Sequence, residues 1–168
     1  MGLEHLFSGS ALDAVDAEGG VALPDFVRRV VERRSDGRRV MFGAHETAPC
    51  VTGYDPGHSP RLQADVERLR LRDEAAGAPA ETHHHRARRL FGLVEHADFD
   101  SAGRIVLPPM MRRRGRIGEL VLFVGTGVDF EIWNPALAGR AGDPDLREIA
   151  EFRLGQVGVN ISEEEQRI

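Results

Sequence analysis

The stretch Asp16-Ala17-Glu18-Gly19-Gly20-Val21-Ala22-Leu23-Pro24 returns as Asp100-Ser101-Ala102-Gly103-Arg104-Ile105-Val106-Leu107-Pro108. Asp, Gly, Leu and Pro recur in register, and an Arg-Arg pair follows each Pro at the same distance, as Arg28-Arg29 and Arg112-Arg113. Repetition on this scale says that the chain carries two copies of one supersecondary unit. Neither copy can bury its apolar face alone, so the two must pack together. They differ at one telling position: Gly20 stands where Arg104 stands.

Each copy carries its own folding instructions. Leu12 to Asp16 is predicted to be extended, Ala17 to Gly20 to turn, and Val21-Ala22-Leu23 to return as a strand. Gly19 supplies the positive φ such a turn needs, and the Asp16 carboxylate can accept the turn's backbone N–H groups. Pro24 then opens a helix where a missing N–H costs nothing, with Phe26, Val27, Val30 and Val31 at helical spacing. Val40-Met41-Phe42 and Val51-Thr52-Gly53-Tyr54 read as the next strands, closed by the turn Asp55-Pro56-Gly57. The second copy repeats this order: extended His96 to Asp100, turn, strand, a shorter helix from Pro108 to about Arg114, then strands over Glu119–Gly125 and Phe130–Asn134. Between the copies, Leu62, Val66 and Leu69 are spaced as on a helix. Gly77-Ala78-Pro79 separates that helix from a second. After Pro135, Asp145 to Leu154 is predicted to be helical with Leu146, Ile149 and Phe152 on one side, and the tail ending Glu163-Glu164-Glu165 to be mobile. Met1 to Ala11 reads as a lead-in whose Leu6-Phe7 can pack.

Charge is unevenly divided. The net charge is -5, yet the residues from Asp143 onward hold seven acids against three arginines. Arg104 to Arg116 holds five arginines and no acid, and Arg28 to Arg39 six arginines against Glu32 and Asp36. All 22 basic residues are arginine, whose planar fork suits phosphate and guanine edges. Basic strips on an acidic chain are compatible with nucleic-acid binding. No apolar run approaches the roughly 20 residues of a membrane helix, and no basic segment followed by an apolar core marks a secretory leader. A single cysteine, Cys50, cannot form an internal disulfide and suits a reducing compartment, so a cytoplasmic location is expected. No G-x-S-x-G, H-E-x-x-H, P-loop or dinucleotide fingerprint is present, and no enzyme activity, cofactor or metal is expected. His83-His84-His85 reads as an exposed extended linker, His45, His58 and His96 show no ligand spacing, and Cys50 reads as a buried structural residue.

Two copies of strand, D-x-x-G-R turn, strand, L-P, helix and a two-stranded return resemble the MraZ family of bacterial transcriptional regulators. The fullest match is Phe99 to Pro109, continuing through Val121–Gly125 and Phe130–Asn134. The first copy fits more loosely, through Leu12–Asp16, Gly19 and Leu23-Pro24, and Arg88 to Glu95 is similar to the helix before the family's second motif. The resemblance implies an α+β fold, mainly β with helices: two tandem AbrB-like swapped-hairpin repeats interleaved into one barrel-like domain with a pseudo-two-fold axis. It divides the chain into a first repeat (7–59), a helical connector (60–95), a second repeat (96–138) and an acidic C-terminal extension (139–168). It further implies a nucleoid-associated, ring-forming homo-oligomer that binds direct repeats in double-stranded DNA upstream of its own operon, the division and cell-wall gene cluster, and represses it.

On this reading Arg104 contacts DNA and Asp100, four residues earlier, accepts and aims its guanidinium. Arg28, Arg29, Arg112 and Arg113 are expected to add phosphate contacts, with Arg33, Arg34, Arg114 and Arg116 as further candidates. Asp16 and Gly20 form a degenerate first motif, in which Gly20 leaves Asp16 without an arginine. Two other functions fit the same residues. One is a scaffold that kept the fold and lost DNA recognition at Gly20, its acidic tail binding a partner or restraining the basic strips. The other is an antitoxin-like regulator binding both DNA and a partner protein.

Overall fold

A computed structural model of the chain describes residues 2–168; Met1, at the head of the predicted lead-in, lies outside them. The first copy provides β1 (Ser10–Ala14), β2 (Gly20–Ala22), α1 (Asp25–Arg34), β3 (Arg39–Ala44) and β4 (Val51–Tyr54). Helices α2 (Ser59–Ala75) and α3 (Ala80–Ala87) follow, then a π-helical turn over Arg88–Gly92. The second copy provides β5 (Glu95–Asp98), β6 (Arg104–Val106), α4 (Pro109–Gly115), β7 (Leu120–Gly125) and β8 (Phe130–Trp133). Three helices complete the chain: α5 (Pro135–Arg140), α6 (Pro144–Gln156) and α7 (Ile161–Glu165).

The strand order is the signature of two interleaved copies. One antiparallel sheet runs β1-β7-β8-β4-β3-β5, and a two-stranded ribbon pairs β2 with β6. Exchanging first-copy strands for their second-copy counterparts reads the same order backwards. The turn at Ala17–Gly20 therefore does not return β2 onto β1, as a local hairpin would. Instead β1 pairs with β7 of the other copy, Leu12 opposite Leu122, and β2 with β6, Val21 opposite Ile105. The six-stranded sheet stays open, with β1 and β5 at its edges, so hydrogen bonds do not close the expected barrel.

β7 is apolar throughout because both of its faces are covered. Val121 and Phe123 join the cluster that holds Val27, Val30 and Val31 of α1 and Met111 of α4. Leu122 and Val124 point the other way, onto Trp133 and onto Leu146, Ala150 and Leu154 of α6. This is the two-residue alternation of a strand buried on both sides. Complete burial of valines such as Val27 and Val31 contributes about 1.5–3 kcal/mol each. At the centre, Gly53 lies opposite Phe130 across β4 and β8, and a Cβ at Gly53 would land on that ring. The glycine exists to admit the aromatic.

Three local expectations change. His83, His84 and His85 lie within helix α3, not on an extended linker, because α3 folds back on α2 through an Arg86–Asp73 ion pair at 2.7 Å. The buried stripe of α6 is Leu146, Ala150 and Leu154; Phe152 is 60% exposed, since two residues beyond Ala150 carry it about 200° around the helix, onto the opposite face. The tail is docked rather than loose. Asn160 caps α7 by accepting the Ser162 N–H at 2.9 Å, Ile161 is buried in the Trp133 cluster, and Arg147 reaches Glu165 at 3.2 Å. No helix among the described residues is long and apolar enough to cross a membrane.

Candidate nucleic-acid interface

The two motif turns are built identically. Asp16 Oδ1 accepts the backbone N–H of Glu18 at 3.0 Å and of Gly20 at 2.7 Å. Asp100 Oδ1 accepts those of Ala102 and Arg104, each at 2.9 Å. Gly19 and Gly103 turn the chain at φ +92° and +83°, a region that only glycine enters freely. Each turn then stitches onto the opposite copy: the Leu23 N–H donates to the Gly103 carbonyl at 2.8 Å and the Leu107 N–H to the Gly19 carbonyl at 3.0 Å. The turns, the β2–β6 ribbon and the starts of α1 and α4 thus form one small platform.

Arginines from both copies border it crosswise. The Arg112 guanidinium lies so close over the Gly19 turn that a Cβ there would fall 2.7 Å from Nη1. Arg28 lies over the Gly103 turn, where a Cβ would fall 3.0 Å from its Nη1. Arg28 is further held by Asp25 at 3.4 Å, and the more exposed Arg29 by the other oxygen of Asp25 at 3.2 Å. The adjacent Arg113 does not join this group; it lines a separate cavity on another side of α4.

The geometry corrects the expected aiming of Arg104. Asp100 is occupied with the N–H groups of its own turn, while Arg104 Nη2 donates to Asp16 Oδ2 of the other copy at 3.1 Å. Asp16 therefore has an arginine after all, supplied across the β2–β6 ribbon, and about half of each side chain stays in solvent. Gly20 permits this pairing, since a Cβ there would land on the Asp16 carboxylate and 3.1 Å from Arg104 Nη2. The Gly20 N–H above all, with help from Glu18 and Arg104, holds the Asp16 carboxyl below its usual range. It stays ionised to orient the guanidinium. By the same symmetry, Asp100 has no guanidinium at the place where residue 20 would provide one.

Arg34 is another correction. Counted among the phosphate contacts, it is instead an internal tie: its side chain is 12% exposed and its Nη1 donates to the buried Asp55 at 3.0 Å. Arg33 is exposed and donates to the Glu4 carbonyl at 3.0 Å. The tail acids have local partners, Glu151 and Glu165 with Arg147 and Glu164 with Arg167. Among the described residues none pairs with an arginine of the platform.

Sequence spacing missed one cluster. His45, Cys50 and Glu131 each place a donor atom within 4.8 Å of the others. Glu131 accepts from Trp133 Nε1 at 2.7 Å and faces His45 Nε2 at 3.3 Å; these bonds hold its carboxyl low against the opposing effect of burial. His45 Nδ1 accepts N–H groups from Thr47 and Ala48 at 3.1 and 2.9 Å, which leaves the ring proton on Nε2, toward Glu131. A cation would have to displace that proton, and burial pushes the Cys50 thiol up, away from a ligating thiolate. The arrangement works as a hydrogen-bonded brace between the 45–50 loop and β8.

Comparison with characterised sequences supplies the remaining finding. The chain is 30% identical to a protein of Coxiella burnetii (strain Dugway 5J108-111) described as "Transcriptional regulator MraZ", over 76% of this chain and 79% of that one. Proteins with the same description from Bordetella pertussis and Pseudomonas syringae pv. tomato are 26% and 27% identical, covering 85% and 86% of this chain and 92% and 90% of theirs. No family model matches the chain.

Proposed function

The chain belongs to the MraZ family of transcriptional regulators, and from that premise we propose that it recognises DNA sequence through Arg104 at the platform of its two motif turns. The observation that carries this reading is the Asp16–Arg104 pair. A half-exposed guanidinium, oriented by an ionised carboxylate and mounted on the paired β2–β6 ribbon, is pre-organised for a base edge. Arg28, Arg29 and Arg112 flank it as phosphate contacts that set position rather than sequence, and Arg113 lies further out. Asp100 shapes the turn that carries Arg104.

The target is direct repeats upstream of its own operon, in the division and cell-wall gene cluster, with repression as the outcome. The chain works there as a nucleoid-associated ring of identical subunits, because weak contacts made by tethered copies on repeated sites multiply. The test is a titration of purified protein on its upstream DNA and on a scrambled duplex at two salt concentrations. Preference for the upstream DNA that survives the higher salt is expected. Equal, salt-erased binding to both duplexes, or no binding, moves the protein to the scaffold reading, in which the fold persists without DNA recognition.

Gly20 sets a second expectation. Its φ is not in the positive range, and the obstacle to a side chain is the movable Asp16 carboxylate. In Gly20→Arg the new Cβ displaces the Asp16 carboxylate that aims Arg104 and crowds Arg104 Nη2 itself. Affinity for upstream DNA should fall about fivefold, the low end of a base contact's worth. Isotherms of the variant and the parent on the same duplex measure it.

A further inference from the structure

Beyond the platform, the C-terminal end of α4, the Thr47–Cys50 loop and the π-helical turn enclose an open cavity of about 710 Å³. Arg89, Arg113, Arg114 and Arg116 line it, with Met110 and Leu137 supplying apolar wall. Among the described residues none of these four arginines has a carboxylate partner, whereas Arg86 and Arg88 beside them pair with Asp73 and Glu81. Arg89 is fixed by donating to the His45 carbonyl at 2.6 Å, and its Nε is buried with nothing to bond.

Arg116 adds an independent sign. At φ 51° and ψ 39° it is the one non-glycine residue with positive φ among the described residues, capping α4 where glycine is the easy choice. Its carbonyl accepts from Asn134 Nδ2 at 2.8 Å, so the conformation is locked. Strain retained at a cap points to a use for the side chain. Arg112, one residue before Arg113, faces the DNA platform instead, so the two basic groups on α4 are separate in space.

We propose that this cavity binds a nucleoside polyphosphate, the phosphate chain lying on Arg89, Arg113, Arg114 and Arg116 and the base against Met110 and Leu137. The volume suits a small ligand, and four uncompensated guanidiniums match a multiply charged phosphate chain. The competing source of the same chemistry is the DNA backbone.

The test uses the full chain titrated with a fluorescent N-methylanthraniloyl ATP, with inorganic tripolyphosphate and random duplex as competitors, in Arg116→Gly, Arg114→Gln and Arg104→Ala. Saturable binding of one nucleotide per chain is expected, weakened about tenfold or more by Arg116→Gly and Arg114→Gln and unchanged by Arg104→Ala. Tripolyphosphate should compete, and random duplex at equal phosphate concentration should compete far less. Arg116→Gly relaxes the cap, so its thermal unfolding should be no lower than the parent's, which removes misfolding as an explanation. Absence of saturable nucleotide binding overturns the proposal. So does equal displacement by random duplex joined to equal loss of random-DNA affinity in Arg116→Gly, because the site then serves the DNA backbone. The Arg104→Ala arm separates either failure from a failure of DNA recognition at the platform.

Discussion

Arg34→Ala should destabilise the fold by about 3–5 kcal/mol, the typical loss when one member of a buried ion pair is removed. Arg34 Nε donates to the His5 carbonyl at 2.6 Å, and Nη1 to Asp55 at 3.0 Å and to the Val128 carbonyl at 2.7 Å. Nη2 reaches the Gly127 carbonyl at 3.3 Å, and the guanidinium stands 4.8 Å from the Phe7 ring centre. One side chain thereby joins the N-terminal lead-in, the end of β4 and the β7–β8 connection. Its loss leaves Asp55, 2% exposed, as an uncompensated charge and takes a donor from the carbonyls of His5, Gly127 and Val128. Arg34→Lys should recover only part, because a single ammonium cannot reach all of these acceptors. Urea unfolding with an unchanged denaturant slope would measure the loss. A loss below about 1 kcal/mol accompanied by weaker DNA binding would return Arg34 to the surface role its place in a basic run suggests.

Arg104→Ala should cost about 1–3 kcal/mol of binding to the upstream DNA while changing random-duplex affinity much less. The asymmetry follows from position. Arg104 sits on the ribbon with its head held by Asp16, whereas Arg28 and Arg112 lie over the turns on either side. Removing a reader takes away discrimination, and removing a flanking charge takes away sequence-independent attraction. Asp16→Asn keeps the Oδ1 that accepts from Glu18 and Gly20 but weakens the hold on Arg104. It should therefore reproduce a fraction of the Arg104→Ala loss. Fluorescence anisotropy on the two duplexes measures both variants.

What could be read from the residues was local. The Asp-led turns, the Pro-led helices α1 and α4 and the short strands around them depend on neighbours a few residues apart, and all of them formed where the repeat places them. The pairing of strands is a different kind of information. Asp16 reads naturally with position 20 of its own turn, yet its guanidinium partner is Arg104, because β2 lies against β6. No spacing rule within one copy contains that contact. The same holds for Arg34 with Val128, for His45 with Glu131, and for Arg89 with the α4 arginines, each brought together by the interleaving of the sheet. Arginine runs were especially misleading. Arg34 and Arg112–Arg116 read as one class in sequence, and folding sorts them into an internal tie, a platform group and a cavity group. Tail acidity misled in another way, since Leu154 and Ile161 anchor that segment to the Trp133 cluster despite its charge.

The most direct measurement is the ratio of upstream to random duplex affinity in Arg104→Ala set beside the same ratio in Arg28→Ala, at two salt concentrations. Recognition through the Asp16-oriented Arg104 predicts that Arg104→Ala collapses the ratio toward one. Arg28→Ala should keep the ratio while weakening both duplexes together and flattening their salt dependence. A ratio that survives Arg104→Ala, or falls equally in both variants, would contradict the account and place sequence recognition elsewhere on the molecule.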